Sequence, residues 1–194
     1  MKLGITGGIG SGKTTVCRVF SILGIPVFYS DPEARIIMES NSAVIEDVNS
    51  AAGRNVYVNG KLDRTLLASL IFNDRELLGK INSIVHPLVF NKFTSWAEMQ
   101  TAPYCILESA ILFESEGWRH VDKSLVISAP AEERIMRVMR RNELSRSQVL
   151  ERIRNQFDDS WRESKADYII RNSEHDMIIK SVLTIHNEIL KFLV

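Results

Sequence analysis

The stretch Gly7-Gly8-Ile9-Gly10-Ser11-Gly12-Lys13-Thr14 fits the spacing G-x-x-x-x-G-K-[ST], and those residue types suit holding a phosphate. Consecutive backbone N–H groups must curl around anionic oxygens, which requires glycines that carry no Cβ. A helix opening near Lys13 aims the positive end of its dipole at the same anion. In such a phosphate-binding loop (P-loop) Lys13 reaches the β- and γ-phosphates, and the Thr14 hydroxyl is placed to take Mg²⁺. The motif therefore predicts binding of a nucleoside triphosphate such as ATP. Binding alone is not function, because kinases, switches and motors share this loop.

Other residue types narrow the choice. No N-K-x-D-like signal for guanine occurs, which argues against a GTPase switch. Between Arg134 and Arg154 stand seven arginines (134, 137, 140, 141, 146, 152 and 154) against Glu143 and Glu151, a local net charge of +5 over 21 residues. Arginine without lysine suits planar, multidentate recognition of phosphate. Arg134, Arg137 and Arg141 also share a helix face by their spacing. Such a stretch reads as a lid that closes over phosphates and stabilises transferring charge; the competing reading is a solvated basic face. No aromatic residue interleaves the stretch, so nucleic-acid contact is not expected.

Carboxylates come next. Asp31 ends a short apolar run, where ligands of parallel sheets gather. It could take the proton of an attacking hydroxyl or hold Mg²⁺, or equally serve as a helix N-cap before Pro32. Glu108 sits where a metal-supporting carboxylate would follow a strand, and Glu114 lies six residues on. His86, before Pro87, reads as a cap or a ligand contact.

These groups need elements to position them. Short β-rich runs alternate with helical stretches, the pattern of an α/β fold with a parallel sheet of about five strands flanked by helices. The runs are 2–6, 26–30, 104–107, 124–128 and 167–171. Val16, Val19, Phe20 and Leu23 mark a first helix that Gly24 stops, and Ile178, Val182, Ile185 and Ile189 mark a last one. About 70 residues with little strand character separate the second and third runs. There Leu66, Leu67, Leu70 and Ile71 predict a helix capped by Asp63. Leu77 to Val85 predict another, stopped before Pro87, and Pro87 opens a third to about Trp96. This excursion reads as an inserted helical subdomain.

The chain has 194 residues, 45% hydrophobic and 25% charged, with 24 basic and 24 acidic side chains. That balance excludes a disordered chain and any chain-wide electrostatic grip on nucleic acid or anionic lipid. No apolar run reaches membrane-span length, and glycines interrupt the N-terminal residues before a signal-peptide core forms. Cys17 and Cys105 lack metal-ligand spacing. The expectation is a globular cytoplasmic protein with no membrane partner.

With these residues in view, the chain resembles the dephospho-coenzyme A kinases, P-loop kinases of small molecules. Residues 4–16, GITGGIGSGKTTV, are similar to the family's signature. Asp31 with Ala34-Arg35 matches the second half of D-x-D-x-x-A-R. His86-Pro87 resembles its HP pair and Leu112-Phe113-Glu114 its P-L-L-F-E turn. Arg137, Arg141, Arg152 and Gln156 follow R-x-x-x-R…R-x-x-x-Q, and Ala166-Asp167 with Asn172 match the closing A-D…N. Two positions depart: Tyr29 replaces the first acid of D-x-D, and Ala110 replaces the proline of P-L-L.

The resemblance implies a single P-loop kinase domain in three parts. These are a core of about 1–32, 101–130 and 166–194, a helical acceptor-binding region of about 33–100, and a lid of about 131–165. It implies ATP held by Gly8, Gly10, Ser11, Gly12, Lys13, Thr14, Thr15 and Asn172, and Mg²⁺ at Thr14. Asp31 takes the general-base position, Lys13, Arg137 and Arg141 stabilise transferred charge, and His86 and Glu114 meet dephospho-CoA. The expected reaction moves the γ-phosphoryl of ATP to the ribose 3′-hydroxyl of dephospho-CoA, the last step of coenzyme A synthesis. Two alternatives remain at this point: a kinase of another small acceptor, and a non-catalytic nucleotide-dependent module.

Overall fold

The computed structural model describes residues 1–72, 74–154 and 156–193. They form two compact units: Met1–Phe28 with the chain from Ala97 onward, and Tyr29–Trp96.

The first unit is built on a five-stranded parallel sheet. In chain order its elements are β1 (Lys2–Thr6), α1 (Lys13–Ile22), β2 (Val27–Tyr29, whose last residue opens the second unit), and, after the excursion, a strand at Cys105–Glu108. A strand at Lys123–Ser128 follows, then helices at Ala131–Asn142, Arg146–Arg154 and Asp159–Glu163, a strand at Tyr168–Arg171 and a closing helix at Ile178–Phe192. The second unit holds α2 (Ser30–Ser40), α3 (Ser42–Ala52), β3 (Tyr57–Val58), β4 (Lys61–Leu62), α4 (Arg64–Phe72) and α5 (Arg75–Glu98). Numbering onward, the later elements of the first unit are β5, β6, α6, α7, α8, β7 and α9.

The sheet order is β2-β5-β1-β6-β7. Leu3 pairs with Ile106 on one side of β1 and with Lys123 on the other, and Leu125 pairs with Tyr168. The central strands read as nearly continuous apolar runs because both sheet faces are covered: Leu3, Ile5, Ile106, Leu107, Leu125 and Ile127 are wholly buried. Val16, Cys17 and Phe20 of α1 and Val182, Ile185 and Ile189 of α9 supply buried apolar faces, and these two helices touch. Strand ends differ by at most one residue from those expected. Ser30 already belongs to α2, and Glu108 belongs to β5.

At the far edge Asp167 clasps β6 to β7. It accepts from Lys123 Nζ, Ser124 N and Ser124 Oγ, each at 2.8 Å. Burial raises its pKa, but these bonds outweigh burial and hold it below the ordinary aspartate value.

The second unit departs from expectation in two places. Leu77, Ile81, Val85, Val89 and Phe93 step by four and are all buried, so one continuous 24-residue helix, α5, replaces the two expected on either side of Pro87. Pro87 removes one backbone donor inside it, at a cost of about 3 kcal/mol. Burying five apolar side chains in phase, at about 1.5–3 kcal/mol each, outweighs that. The β3–β4 hairpin was not foreseen. Asn59 and Gly60 both adopt positive φ (52° and 76°), as a two-residue type I′ turn demands, and Asn-Gly is its commonest pair. Asp63 does cap α4, accepting from Leu66 N at 2.9 Å. Among the described residues, no helix is long and apolar enough to cross a membrane.

Candidate active site

The glycine-rich loop leaves the carboxyl end of β1, the central strand, and enters α1 at Lys13. Gly10 (φ 79°) and Gly12 (φ 100°) hold left-handed conformations that favour glycine. Gly12 is the residue preceding α1, and a Cβ there would collide with the Asn172 side chain. Ser11 N bonds Gly8 O at 3.1 Å and closes the loop on itself. Lys13 Nζ folds back onto the loop carbonyls, 2.8 Å from Gly7 O and 3.4 Å from Gly8 O. Its ammonium therefore stands over the loop it is expected to serve. Thr14 and Thr15 are exposed at the start of α1.

Ser11 Oγ is buried inside this loop and has no hydrogen-bond partner among the described residues. An orphaned hydroxyl within an anion cradle is chemically suited to a phosphate oxygen. Mg²⁺ fits the donor set as well. A hard ion that keeps its waters needs only an oxygen ligand such as Thr14 plus phosphate oxygens. Among the described residues no group of three or more His, Cys, Asp or Glu stands ready to hold an ion without a nucleotide.

Glu108 ends β5 and is 8% exposed. Burial pushes the Cys17 thiol up, Glu108 adds to that and Lys13 opposes it, so a carboxylate and an ammonium flank the buried base of α1.

The arginine-rich stretch is not one solvated face. Ile135, Val138 and Val149 of α6 and α7 form a buried cluster, and Ile9 of the loop packs against it. Arg134 is 4% exposed; its Nε donates to Ile9 O at 2.9 Å and its NH1 pairs with Asp159. Arg137 NH2 donates to Glu133 at 2.7 Å and to Asn172 O at 2.9 Å, and its NH1 is buried with no partner among the described residues. Arg141 is exposed, with Nε 3.0 Å from Asn142 Oδ1. Arg146 clasps Glu132 through two bonds of 2.8 and 2.7 Å.

Asn172 lies beneath the loop, 6% exposed, and its amide donates to Ser11 O at 2.6 Å. That bond supports the loop from the end of β7, at the residue expected to meet the nucleotide. Glu114 accepts from Arg162 NH2 at 2.5 Å, which engages the carboxylate assigned to the acceptor. Arg162 is wholly buried and was missed from sequence, as was Gln156's bond from Ile9 N at 2.8 Å. The basic count ended at Arg154, and nothing local marks one arginine as buried. Beyond the ends of β6 and β7 lies a cavity of about 480 Å³ whose walls include Ser128, Pro130, Asp159, Glu163, Arg171 and Asp176.

In the second unit, Asp31 sits in the first turn of α2 with its side chain exposed. Tyr29 is the capping position and makes no side-chain cap, so Asp31 is not the N-cap that the sequence allowed. His86 lies inside α5, half-buried, with its ring 6.1 Å from Phe90, and burial lowers its pKa. It caps no helix.

A loop of this form after the central strand of a parallel sheet admits many kinases, and comparison with known proteins decides among them. The dephospho-CoA kinase family model matches residues 1–177. The chain belongs to the dephospho-CoA kinase family. It is 35% identical to a dephospho-CoA kinase of Bacteroides fragilis over 94% of this chain and 90% of that one. It is 37% identical to one of Salinibacter ruber, over 88% and 87%. Among solved structures, a dephospho-CoA kinase from Campylobacter jejuni superposes with a TM-score of 0.71 at 25% identity, covering both chains fully. A crystal structure of a Thermus thermophilus protein reaches 0.86 at 33% identity, over 97% and 96% of the two chains. An Acinetobacter baumannii shikimate kinase, at 18% identity and a TM-score of 0.56, shares the fold. Membership of this family agrees with a P-loop whose every motif residue is in place.

Proposed function

We propose that this chain transfers the γ-phosphoryl of ATP to the ribose 3′-hydroxyl of dephospho-CoA, giving coenzyme A and ADP as the last step of coenzyme A synthesis. The observation that carries the reading is the formed P-loop, with Lys13 Nζ 2.8 Å from Gly7 O, in a chain matched by one kinase family from residue 1 to 177.

In this reading the loop from Gly8 to Thr15 and the α1 dipole hold the triphosphate. Lys13 swings from the loop carbonyls to the β- and γ-phosphates. Asp31 takes the proton of the 3′-hydroxyl as its oxygen attacks the γ-phosphorus, and the bond to the β-bridging oxygen breaks with ADP leaving. Arg137, with one nitrogen unpartnered among the described residues, and Arg141 at the exposed end of α6 neutralise charge as it moves. Mg²⁺, with Thr14 among its ligands, would neutralise charge on the β- and γ-phosphate oxygens. His86 and Glu114 contact the acceptor, Glu114 while bound by Arg162.

The test is an acceptor panel read by ADP release. Turnover with dephospho-CoA, and rates at least a hundredfold lower with shikimate and nucleoside monophosphates, is the expected result. Equal turnover of another acceptor would replace the substrate, and ADP release that no acceptor stimulates would replace the kinase.

A further inference from the structure

We propose that Arg134 is a positioning residue for the phosphate-binding loop, held to that task by a chain of charge through Asp159 and Arg162 to Glu114, in which both arginines are buried and both carboxylates partly so. The proposal rests on the kinase reading and adds to it residues that act through the loop rather than on substrate.

Ile9 stands between Gly8 and Gly10, two residues whose backbones rotate at little cost. A peptide unit so placed needs an external hold if the amides that follow it are to keep pointing at an anion. The structure supplies one on each side. Ile9 N–H donates to Gln156 Oε1 at 2.8 Å, and Ile9 C=O accepts from Arg134 Nε at 2.9 Å. Arg134 also fills the space that side chains would otherwise claim: a Cβ on Gly8 would meet its guanidinium, and a Cβ on Gly10 its carbonyl. The glycines and the arginine are thus fitted to each other.

The guanidinium is fixed from behind. Asp159 bonds Arg134 NH1 through Oδ2 and Arg162 NH1 through Oδ1, the latter at 3.2 Å. Arg162, 0% exposed, also donates from NH1 to Phe157 O at 2.8 Å and from NH2 to Glu114 Oε1 at 2.5 Å. Two cations thus alternate with two carboxylates. An ion chain with buried members is a poor source of stability, since apolar side chains of similar volume generally do as well. Its distinctive property is direction, because each planar guanidinium accepts one orientation between its partners. Here the chain ends on a carbonyl of the P-loop, and its direction is passed to the amides of residues 10–14.

The experiment uses Arg134→Gln, Asp159→Asn and their double variant, with thermal melting, ADP binding by calorimetry, and KM for ATP and for the acceptor. Arg134→Gln is expected to melt cooperatively and to weaken ADP binding and raise KM for ATP about tenfold, the worth of one hydrogen bond from a charged donor. KM for the acceptor should stay within about twofold. Asp159→Asn should weaken ADP binding at least about threefold, and the double variant should be no worse than Arg134→Gln alone. A purely structural role would lower the melting temperature and leave ADP affinity unchanged. ADP affinity within about twofold of the parent in folded Arg134→Gln overturns the proposal, as do additive losses in the double variant. Should Arg134→Gln not fold, unchanged ADP affinity in Asp159→Asn overturns it. If the parent itself fails to bind ADP, the P-loop reading falls first, which separates the two failures.

Discussion

Lys13 and Asp31 are expected to fail in different ways when replaced. Lys13 Nζ reaches carbonyls of its own loop, Gly7 O at 2.8 Å and Gly8 O at 3.4 Å. Lys13→Ala should therefore leave the fold intact and remove a charged contact to the transferring phosphoryl, with kcat falling by 10² or more. Normal turnover in a folded Lys13→Ala protein would contradict the assignment. Asp31 lies in the first turn of α2, where a negative charge is worth about 0.3–1 kcal/mol through the helix dipole. Asp31→Asn should cost no more than about that in stability. As a base, however, it should lose about 10²–10⁴ in kcat, with KM for ATP little changed. A kcat within about threefold of the parent, under 1 kcal/mol in the barrier, would remove Asp31 from the chemistry.

Among the elements, α5 carries a conflict between local and distant forces. Pro87 is exposed, so its side chain contributes little packing, yet its ring denies a donor to the helix. Pro87→Ala should raise stability by about 1–3 kcal/mol, read as a higher denaturation midpoint at unchanged m-value. KM for ATP should not move, because the P-loop is built from β1 and α1. A lower midpoint would mean that α5 depends on the missing donor. The α6–α7 segment shows the complementary case. Its arginines are the basis for expecting a lid rather than a solvated face, and Ile135, Val138 and Val149 give it a core of its own against which Ile9 of the loop packs. Spacing places Arg134, Arg137 and Arg141 on one face. Which of them meets protein and which meets solvent depends on Asp159, Glu133 and Asn172, all distant or outside the pattern.

For the whole molecule, pH enters through histidines. Burial lowers the pKa of His86, and burial with Lys2 nearby lowers that of His120. The unfolded chain therefore takes up these protons at a higher pH than the folded one. Stability is fully present above the ordinary histidine pKa of about 6.5 and declines as pH falls toward the lowered folded values. Melting temperatures should drop between pH 7 and 5.5, and the pair of variants His86→Gln and His120→Gln combined should flatten that slope. A slope unchanged in the combined variant would assign the acid sensitivity to other groups.

The sequence by itself determined what depends on near neighbours along the chain. Five apolar runs separated by helices imply a parallel sheet, and a glycine-rich stretch with Lys13 and Thr14 between the first run and a helix implies a phosphate cradle, because each needs only local residue types in order. The Asn59-Gly60 hairpin is equally local, yet its turn pair went unread because the flanking strands are only two residues long. Only the tertiary structure decided the rest. Whether Pro87 ends a helix was settled by the burial of Val85, Val89 and Phe93 in one phase. That Asn172 supports Ser11 depended on residues 161 positions apart coming within 2.6 Å. Arg134, Asp159, Arg162 and Glu114 are a further instance. Their charges are scattered over 49 residues with no common spacing, and each acquires its partner only when α6, α8 and the turn after β5 pack together and exclude the water that would otherwise have solvated them.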